Sequence, residues 1–187
     1  LIESALADPN SSKTKLGISC TTREKRPKEE HGVSYFFVSQ QEFVNKINRS
    51  EFLEYAEVFG NLYGTPKDWV LSVLEEGKNV ILELDIQGAL QVKEAFPEAK
   101  TIFIIPPSYE DLSNRLKKRA QDPPEEIKTR LKEARQEVGI GKDFDQIIVN
   151  NDFDEALDDL KKFIFLNDVP STERKEESKI SLNLLLD

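Results

Sequence analysis

Arg23 and Arg26 lie close together in Thr21-Thr22-Arg23-Glu24-Lys25-Arg26-Pro27, and Gly32-Val33-Ser34-Tyr35-Phe36-Phe37 follows within a few residues. A guanidinium fork matches phosphate oxygens two at a time, so two arginines beside a tyrosine-bearing strand suit the grip of a phosphate group. Glu54 offers a second kind of chemistry. It stands among apolar residues in Phe52-Leu53-Glu54-Tyr55-Ala56-Glu57-Val58-Phe59. A carboxylate aimed into a pocket accepts two N–H bonds at once, and the Watson–Crick edge of guanine presents such a donor pair. Tyr63 and Thr65 come just after a glycine turn, within reach of the same pocket.

Glu83 and Asp85 end the run Val80-Ile81-Leu82-Glu83-Leu84-Asp85. A buried parallel strand reads as a nearly continuous apolar run, so acids two apart are expected on one face near its carboxyl end. Open α/β sheets bind ligands there, and carboxylates that hold Mg²⁺ beside substrate phosphates satisfy the same geometry. Arg115 and Arg119 are four apart, hence on one helical face, and Arg130 stands across the break Gln121-Asp122-Pro123-Pro124. Three arginines around a hinge suit a lid that closes on phosphates. Taken singly, each stretch has a plainer reading: a solvated charged loop, an outward-facing acid, a solvated strand end, an ordinary charged helix surface.

The elements that must position these residues alternate. Residues 1–8 read as the end of a helix, Leu16 to Cys20 as a short strand, and 33–38 as an aromatic strand. Ser39-Gln40-Gln41-Glu42 fits a capping box for a helix with Phe43, Val44 and Ile47 on one face. Phe52 to Phe59 reads as a strand, Gly60 to Gly64 as a turn, and Thr65-Pro66 as the start of a helix that Gly77 ends. Asn79 to Asp85 is expected as a strand, Gln87 to Phe96 as a helix, and Thr101 to Ile105 as a buried strand. Ser108 opens a helix to about Ala120, a charged helix covers 125–139, Ile147 to Asn150 is a last strand, and 153–166 a last helix. The tail 168–187 reads as a flexible or loosely docked extension. Strands alternating with helices imply a parallel sheet covered on both faces, with a small β-rich insertion at 33–64.

Composition narrows the classes. With 26 Lys and Arg against 35 Asp and Glu the net charge is -9, which excludes a generally basic nucleic-acid-binding surface. A single cysteine, Cys20, excludes a disulfide framework and points to a reducing, cytoplasmic setting. The one histidine, His31, argues against a His-based zinc site or a Ser-His-Asp triad. No apolar run approaches membrane-spanning length.

Together these residues resemble the guanylate kinases. The matching stretches are Ser19-Cys20-Thr21-Thr22-Arg23…Arg26-Pro27, Gly32…Tyr35-Phe36-Phe37-Val38, Phe52-Leu53-Glu54…Ala56-Glu57 and Gly60-Asn61…Tyr63-Gly64-Thr65. The series continues with Ile81-Leu82-Glu83…Asp85…Gln87-Gly88, Pro106-Pro107-Ser108, Arg115-Leu116…Arg119 and Ile148-Val149-Asn150-Asn151-Asp152. Each motif alone is weak, but the ordered set over about residues 1–166 is specific. The resemblance implies a P-loop-kinase-type α/β fold: a core of 1–31 and 65–167, a GMP-binding insertion at 32–64, and a helical lid at about 115–135. It implies transfer of the ATP γ-phosphoryl group to GMP, with Mg²⁺ as cofactor, by a monomer or homodimer whose partners are these small nucleotides.

By the same resemblance Arg23, Arg26, Tyr35 and Tyr63 would grip the GMP phosphate, and Ser19, Glu54 and Thr65 would read the base. Glu83 and Asp85 would serve Mg²⁺, through water, and the guanine edge, with Glu83 assigned to the metal side. Arg115, Arg119 and Arg130 would neutralise the transferring group, and Asn150 would lie near the ATP base. Departures are few: Glu83 stands where the family usually has Asp, Lys28 and Ala120 replace glycines, and Leu62 replaces a tyrosine. The family's Gly-rich phosphate loop falls just ahead of Leu1 in this match, and a molecule truly starting there would lose its ATP phosphate site. Because the chain starts with Leu and contains no Met, the expectation is that the loop belongs to the molecule ahead of Leu1. The alternative is a catalytically inactive guanylate-kinase-like domain that binds phosphorylated peptides; such domains usually lose the serine matched here by Ser19 and part of the acid and lid set.

Overall fold

The structure, a computed structural model, describes residues 1–119, 124–168 and 170–186, and the side chains of Arg119 and Glu126 lie outside that description. Along the chain come α1 (Ile2–Leu6), a 3-10 turn (Pro9–Lys13), β1 (Thr14–Leu16), β2 (Cys20–Thr21), β3 (Phe36–Phe37) and α2 (Gln40–Asn48). Next are β4 (Phe52–Val58), β5 (Asn61–Pro66), α3 (Lys67–Glu75), β6 (Asn79–Ile81) and α4 (Ile86–Ala95). The remainder is β7 (Ile102–Ile105), α5 (Tyr109–Arg119), α6 (Pro124–Gly141), β8 (Gln146–Val149), α7 (Phe153–Lys161) with a π-helical turn (Lys162–Leu166), and α8 (Thr172–Leu186). They form two compact units, Pro9–Ala99 and Leu1–Asp8 with Lys100–Asp187.

In the unit Pro9–Ala99, β1 pairs parallel with β6, from Thr14 opposite Asn79 to Leu16 opposite Ile81. A separate four-stranded sheet runs β3-β2-β5-β4. The run Leu16 to Cys20 is therefore not one strand but a crossing between two sheets. Gly17 makes the crossing: its N–H donates to the Ile81 carbonyl at 2.8 Å, and a Cβ there would lie 2.4 Å from the Leu82 side chain. Cys20, Phe43 and Phe52 form the core under the four-stranded sheet, with Phe36, Val38, Ile47 and Leu62 packed around them. Phe43 and Phe52 stack with ring centroids 4.5 Å apart. Burying one such ring contributes on the order of 2 kcal/mol.

The Ser39 cap forms as expected, its Oγ accepting from the Glu42 N–H at 3.2 Å. Val44 is not on the buried face of α2; it is exposed, and Phe43 and Ile47 point into the core. The aromatic strand is shorter than 33–38, because Val33 and Ser34 fold back in a turn with both N–H groups donating to the Glu30 carbonyl. The expected turn at Gly60–Gly64 shrinks as well: Asn61 to Pro66 is strand, paired along β4 from Val58 opposite Asn61 to Phe52 opposite Pro66. Thr65 is thus a buried strand residue and not a helix cap.

In the other unit β7 and β8 pair parallel, from Ile102 opposite Gln146 to Ile105 opposite Val149. Both faces are covered. Ile148 joins Ala5, Ala156 and Leu160 on one side, and Ile105 and Val149 join Val138 and Leu185 on the other. This is the period-2 burial that a parallel strand pair between helices requires. Ser108 opens α5, its Oγ accepting from the Asp111 N–H at 3.1 Å and donating to Asp111 Oδ2 at 2.6 Å. The Arg135 guanidinium of α6 lies 5.1 Å from the Tyr109 ring centroid of α5.

The tail is helix rather than a loose extension. Leu185 of α8 is 1% exposed in the cluster with Val138 and Val149. Arg174 donates from Nε to Asp159 Oδ2 at 2.8 Å and pairs with Glu155 at 2.9 Å and with Glu177. The apolar positions of the Leu-rich end and one well-placed arginine are enough to dock it. Among the described residues no helix is long and apolar enough to cross a membrane.

Candidate active site

Glu54 lies inside β4, with 4% of its surface exposed. The register of β4 and β5 places Thr65 opposite it, and the Thr65 hydroxyl donates to Glu54 Oε1 at 2.5 Å. Burial raises the Glu54 carboxyl above the ordinary carboxylate range; the bond from Thr65 works against this, and the negative charge of Asp85 adds to it. Asp85 is the N-cap of α4, its Oδ1 accepting from the Gly88 N–H at 2.8 Å. A Cβ on Gly88 would stand 2.7 Å from Glu54 Oε2 and 3.3 Å from Asp85 Oδ1. The two carboxylates thus converge over Gly88, which has room for them only because it is glycine.

The strand expected at Asn79–Asp85 stops at Ile81. Glu83 and Asp85 therefore lie past the strand and not on alternate positions of it. Glu83 is exposed, whereas Asp85 is half-buried and engaged as a helix cap. Two acids without partners inside a strand would be costly, and the chain avoids that by leaving the sheet before them. Among the described residues no group of three or more His, Cys, Asp or Glu side chains is placed to hold a metal ion.

The phosphate-gripping candidates gather at the other end of the same sheet. Arg23 lies 5.5 Å from the Tyr35 ring centroid and 5.9 Å from that of Phe37, and the rings of Tyr35 and Tyr63 meet edge-on at 6.0 Å. The Arg23 guanidinium is held by Glu29 Oε1 at 2.7 Å and by the Glu24 carbonyl at 2.7 Å. Its hydrogen bond to Glu29 raises an already high pKa, so it is always charged. Burial, and then the nearby Tyr63, raise the Tyr35 phenol, which stays a hydrogen-bond donor at neutral pH. Arg26 is half-buried, with its backbone N–H donating to Glu29 Oε2 at 2.8 Å. Ser19 is half-buried on the crossing before β2, and its carbonyl accepts from the Phe36 N–H at 2.9 Å.

Glu29 is not among the residues the sequence points to, yet its one carboxylate ties the Arg23 side chain to the Arg26 backbone. The available signal was an acid three residues after Arg26 in a basic loop, a spacing that reads equally well as solvated charge. Thr21 and Thr22 are structural: Thr21 Oγ1 accepts from the Arg23 N–H at 3.1 Å, and Thr22 Oγ1 from the Leu62 N–H at 2.9 Å. Cys20 is no nucleophile, since burial pushes its thiol up to about 11.

The remaining candidates belong to the other unit. Arg115 on α5 donates to the Asn150 carbonyl at 2.6 Å, so these two residues meet just past β8. Arg130 is half-buried on α6. Arg119 is the last residue of α5, and its side chain, like Ala120 and residues 121–123 of the expected hinge, lies outside the described residues.

Residues 1–167 match the family model described as guanylate kinase. The chain belongs to the guanylate kinase family. It is 52% identical over 146 residues to a guanylate kinase of Hahella chejuensis, covering 78% of this chain and 70% of that protein. With a guanylate kinase of Vibrio parahaemolyticus it shares 45% identity over 172 residues, 92% of this chain and 83% of the relative. The crystal structure of guanylate kinase from Anaplasma phagocytophilum superposes with a TM-score of 0.74 at 32% identity, covering 93% of this chain and 88% of that one. The family's α/β kinase fold is thereby this chain's fold.

Proposed function

We propose that this protein transfers the γ-phosphoryl group of ATP to GMP, giving ADP and GDP. The observation that carries the reading is the buried Glu54, held by Thr65 and set against Asp85 over Gly88. Two carboxylates at one spot accept the N1–H and N2–H donors of guanine, whereas adenine presents an acceptor at N1 and would leave a buried charge unserved. Discrimination between purines follows from that mismatch.

Segment 32–64, with Ser19, Arg23 and Arg26, is the GMP-binding part. Arg23, Arg26, Tyr35 and Tyr63 hold the phosphate, and Ser19, Glu54, Thr65 and Asp85 read the base. The core is 1–31 and 65–167, with the lid at about 115–135. Arg115, Arg119 and Arg130 neutralise charge on the transferring group, and Asn150 lies near the ATP base. The GMP phosphate oxygen is already an anionic nucleophile, so positioning and charge neutralisation replace a general base. Glu83, exposed and not used as a cap, fits the outer contact to Mg²⁺ through water better than Asp85 does. Held on the Glu83 side through water, Mg²⁺ would supply positive charge against the ATP phosphates. The enzyme works in the cytoplasm as a monomer or homodimer, on small nucleotides and without nucleic acid or membrane.

The test is GMP-dependent ADP release from Mg·ATP by the full-length protein, with AMP as control acceptor. Turnover with GMP and not AMP supports the reading. Absence of turnover with tight GMP binding would favour a domain kept for binding phosphorylated ligands.

A further inference from the structure

β4 is one of the two edge strands of its sheet, and its pairing with β5 shifts register between Phe52 and Glu54. An edge next to an irregularity leaves backbone groups without a strand partner beside Glu54, which has to be held still. Gln91 of α4 supplies that partner. Its Oε1 accepts from the Tyr55 N–H at 3.2 Å, and its Nε2 donates to the Tyr55 carbonyl at 2.8 Å. A side-chain amide thus stands in for one rung of a neighbouring strand, on the residue directly after Glu54.

Gln91 follows Asp85, the cap of α4, and Gly88, each three residues on, so all three lie along one side of the helix facing β4. Asp85 carries one of the converging carboxylates, Gly88 leaves room for the other, and Gln91 pins the strand that bears it. We propose that Gln91 is a positioning residue for guanine selectivity: its two bonds to Tyr55 fix the separation of the Glu54 and Asp85 carboxylates. This rests on the reading of those two acids as the base-recognising pair. Misplacing one of them by a fraction of an ångström weakens a paired hydrogen bond far more than it disturbs a phosphate contact.

The test compares Gln91→Leu and Gln91→Glu with the parent in the full-length enzyme. Gln91→Leu removes both bonds at similar size; Gln91→Glu keeps the acceptor for Tyr55 N–H and loses the donor. The expected result is a rise of about tenfold in KM for GMP with Gln91→Leu, the size of one hydrogen bond to the base lost when Glu54 shifts, and a smaller rise with Gln91→Glu. KM for ATP and kcat should move less than about twofold, and the preference for GMP over IMP, which lacks the N2–H donors, should narrow. In a Glu54→Gln background, Gln91→Leu should add little further to KM. Lowered melting temperature with unchanged KM and unchanged GMP/IMP preference would overturn the proposal, as would full additivity with Glu54→Gln. If Glu54→Gln itself leaves KM for GMP unchanged, the base-reading assignment fails instead, whatever Gln91 does.

Discussion

The Thr65 hydroxyl donates to Glu54 Oε1 at 2.5 Å between adjacent strands, and the two residues are 0% and 4% exposed. A carboxylate in such a place is held against its own desolvation: burial raises its pKa, while the bond from Thr65 favours the ionised form. Ionised, a carboxylate can accept two N–H donors; protonated, it presents an O–H instead.

On the proposed reading of Glu54 as the acceptor for guanine, GMP binding should depend on pH. Below the raised pKa of Glu54 the carboxyl is protonated and loses its acceptor character, so KM for GMP should climb as pH falls through that raised pKa, which lies above the ordinary carboxylate range. KM for ATP should stay nearly level. Folding stability runs the other way. Between the ordinary and the raised pKa the folded protein keeps a proton that the unfolded chain has lost, so this group's contribution falls as pH rises through that window. Initial-rate kinetics and thermal melts across the range measure both slopes.

Glu54→Gln separates the two effects in one variant. Removing a buried charge should raise the melting temperature at neutral pH, and losing a charge-assisted acceptor should weaken GMP binding by about 1.5–3 kcal/mol. Its KM for GMP should no longer follow the acid limb.

Gly88→Ala should act on the same pair from the helix side. The new Cβ would lie 2.7 Å from Glu54 Oε2, so the carboxylate must move although Thr65 holds it. Overpacking of this kind destabilises by about 1–3 kcal/mol. KM for GMP should rise at least about tenfold, with KM for ATP little changed, in steady-state assays.

At the phosphate end, Arg26→Ala should weaken GMP binding by about 1–3 kcal/mol through loss of a charge-assisted bond. Glu29→Ala leaves both guanidinium groups in place but frees Arg23 from its anchor, so its effect should be smaller. Calorimetric titration with GMP and with guanosine distinguishes these from base-reading defects, because guanosine affinity should be unchanged in both.

Leu185 tests the docked tail. It is 1% exposed among Ile105, Val138 and Val149, so Leu185→Ala should lower unfolding stability by about 2–5 kcal/mol. Leu184, 58% exposed on the same helix, should change it by no more than about 0.5 kcal/mol when replaced by Ala. Urea unfolding of the two variants side by side gives the contrast.

Local signals were legible along the chain. Ser39, spaced three residues from Glu42, and Ser108 cap the helices they are expected to open, because a cap is settled within a single turn. The strands at 52–58 and 102–105 and the helix at 86–95 follow from their apolar runs. The ordered motifs from Ser19 to Asp152 carried the family. Less legible were features that depend on a distant partner. Thr65-Pro66 has the form of a helix start, yet pairing with β4 takes its hydroxyl for Glu54. The run Leu16 to Cys20 reads as one strand, and only the approach of Gly17 to Ile81 and Leu82 divides it between two sheets.

The sequence by itself thus determined the kinds of groups available, their spacing along the chain and the family they belong to, because composition, periodicity and capping act over a few residues. Only the tertiary structure decided which acid is buried, which arginine is anchored by Glu29, what Gln91 bonds to, and that the polar tail ends as a helix on β8. Those outcomes depend on desolvation and on hydrogen bonds between residues up to 36 positions apart, and no local pattern encodes a distant partner.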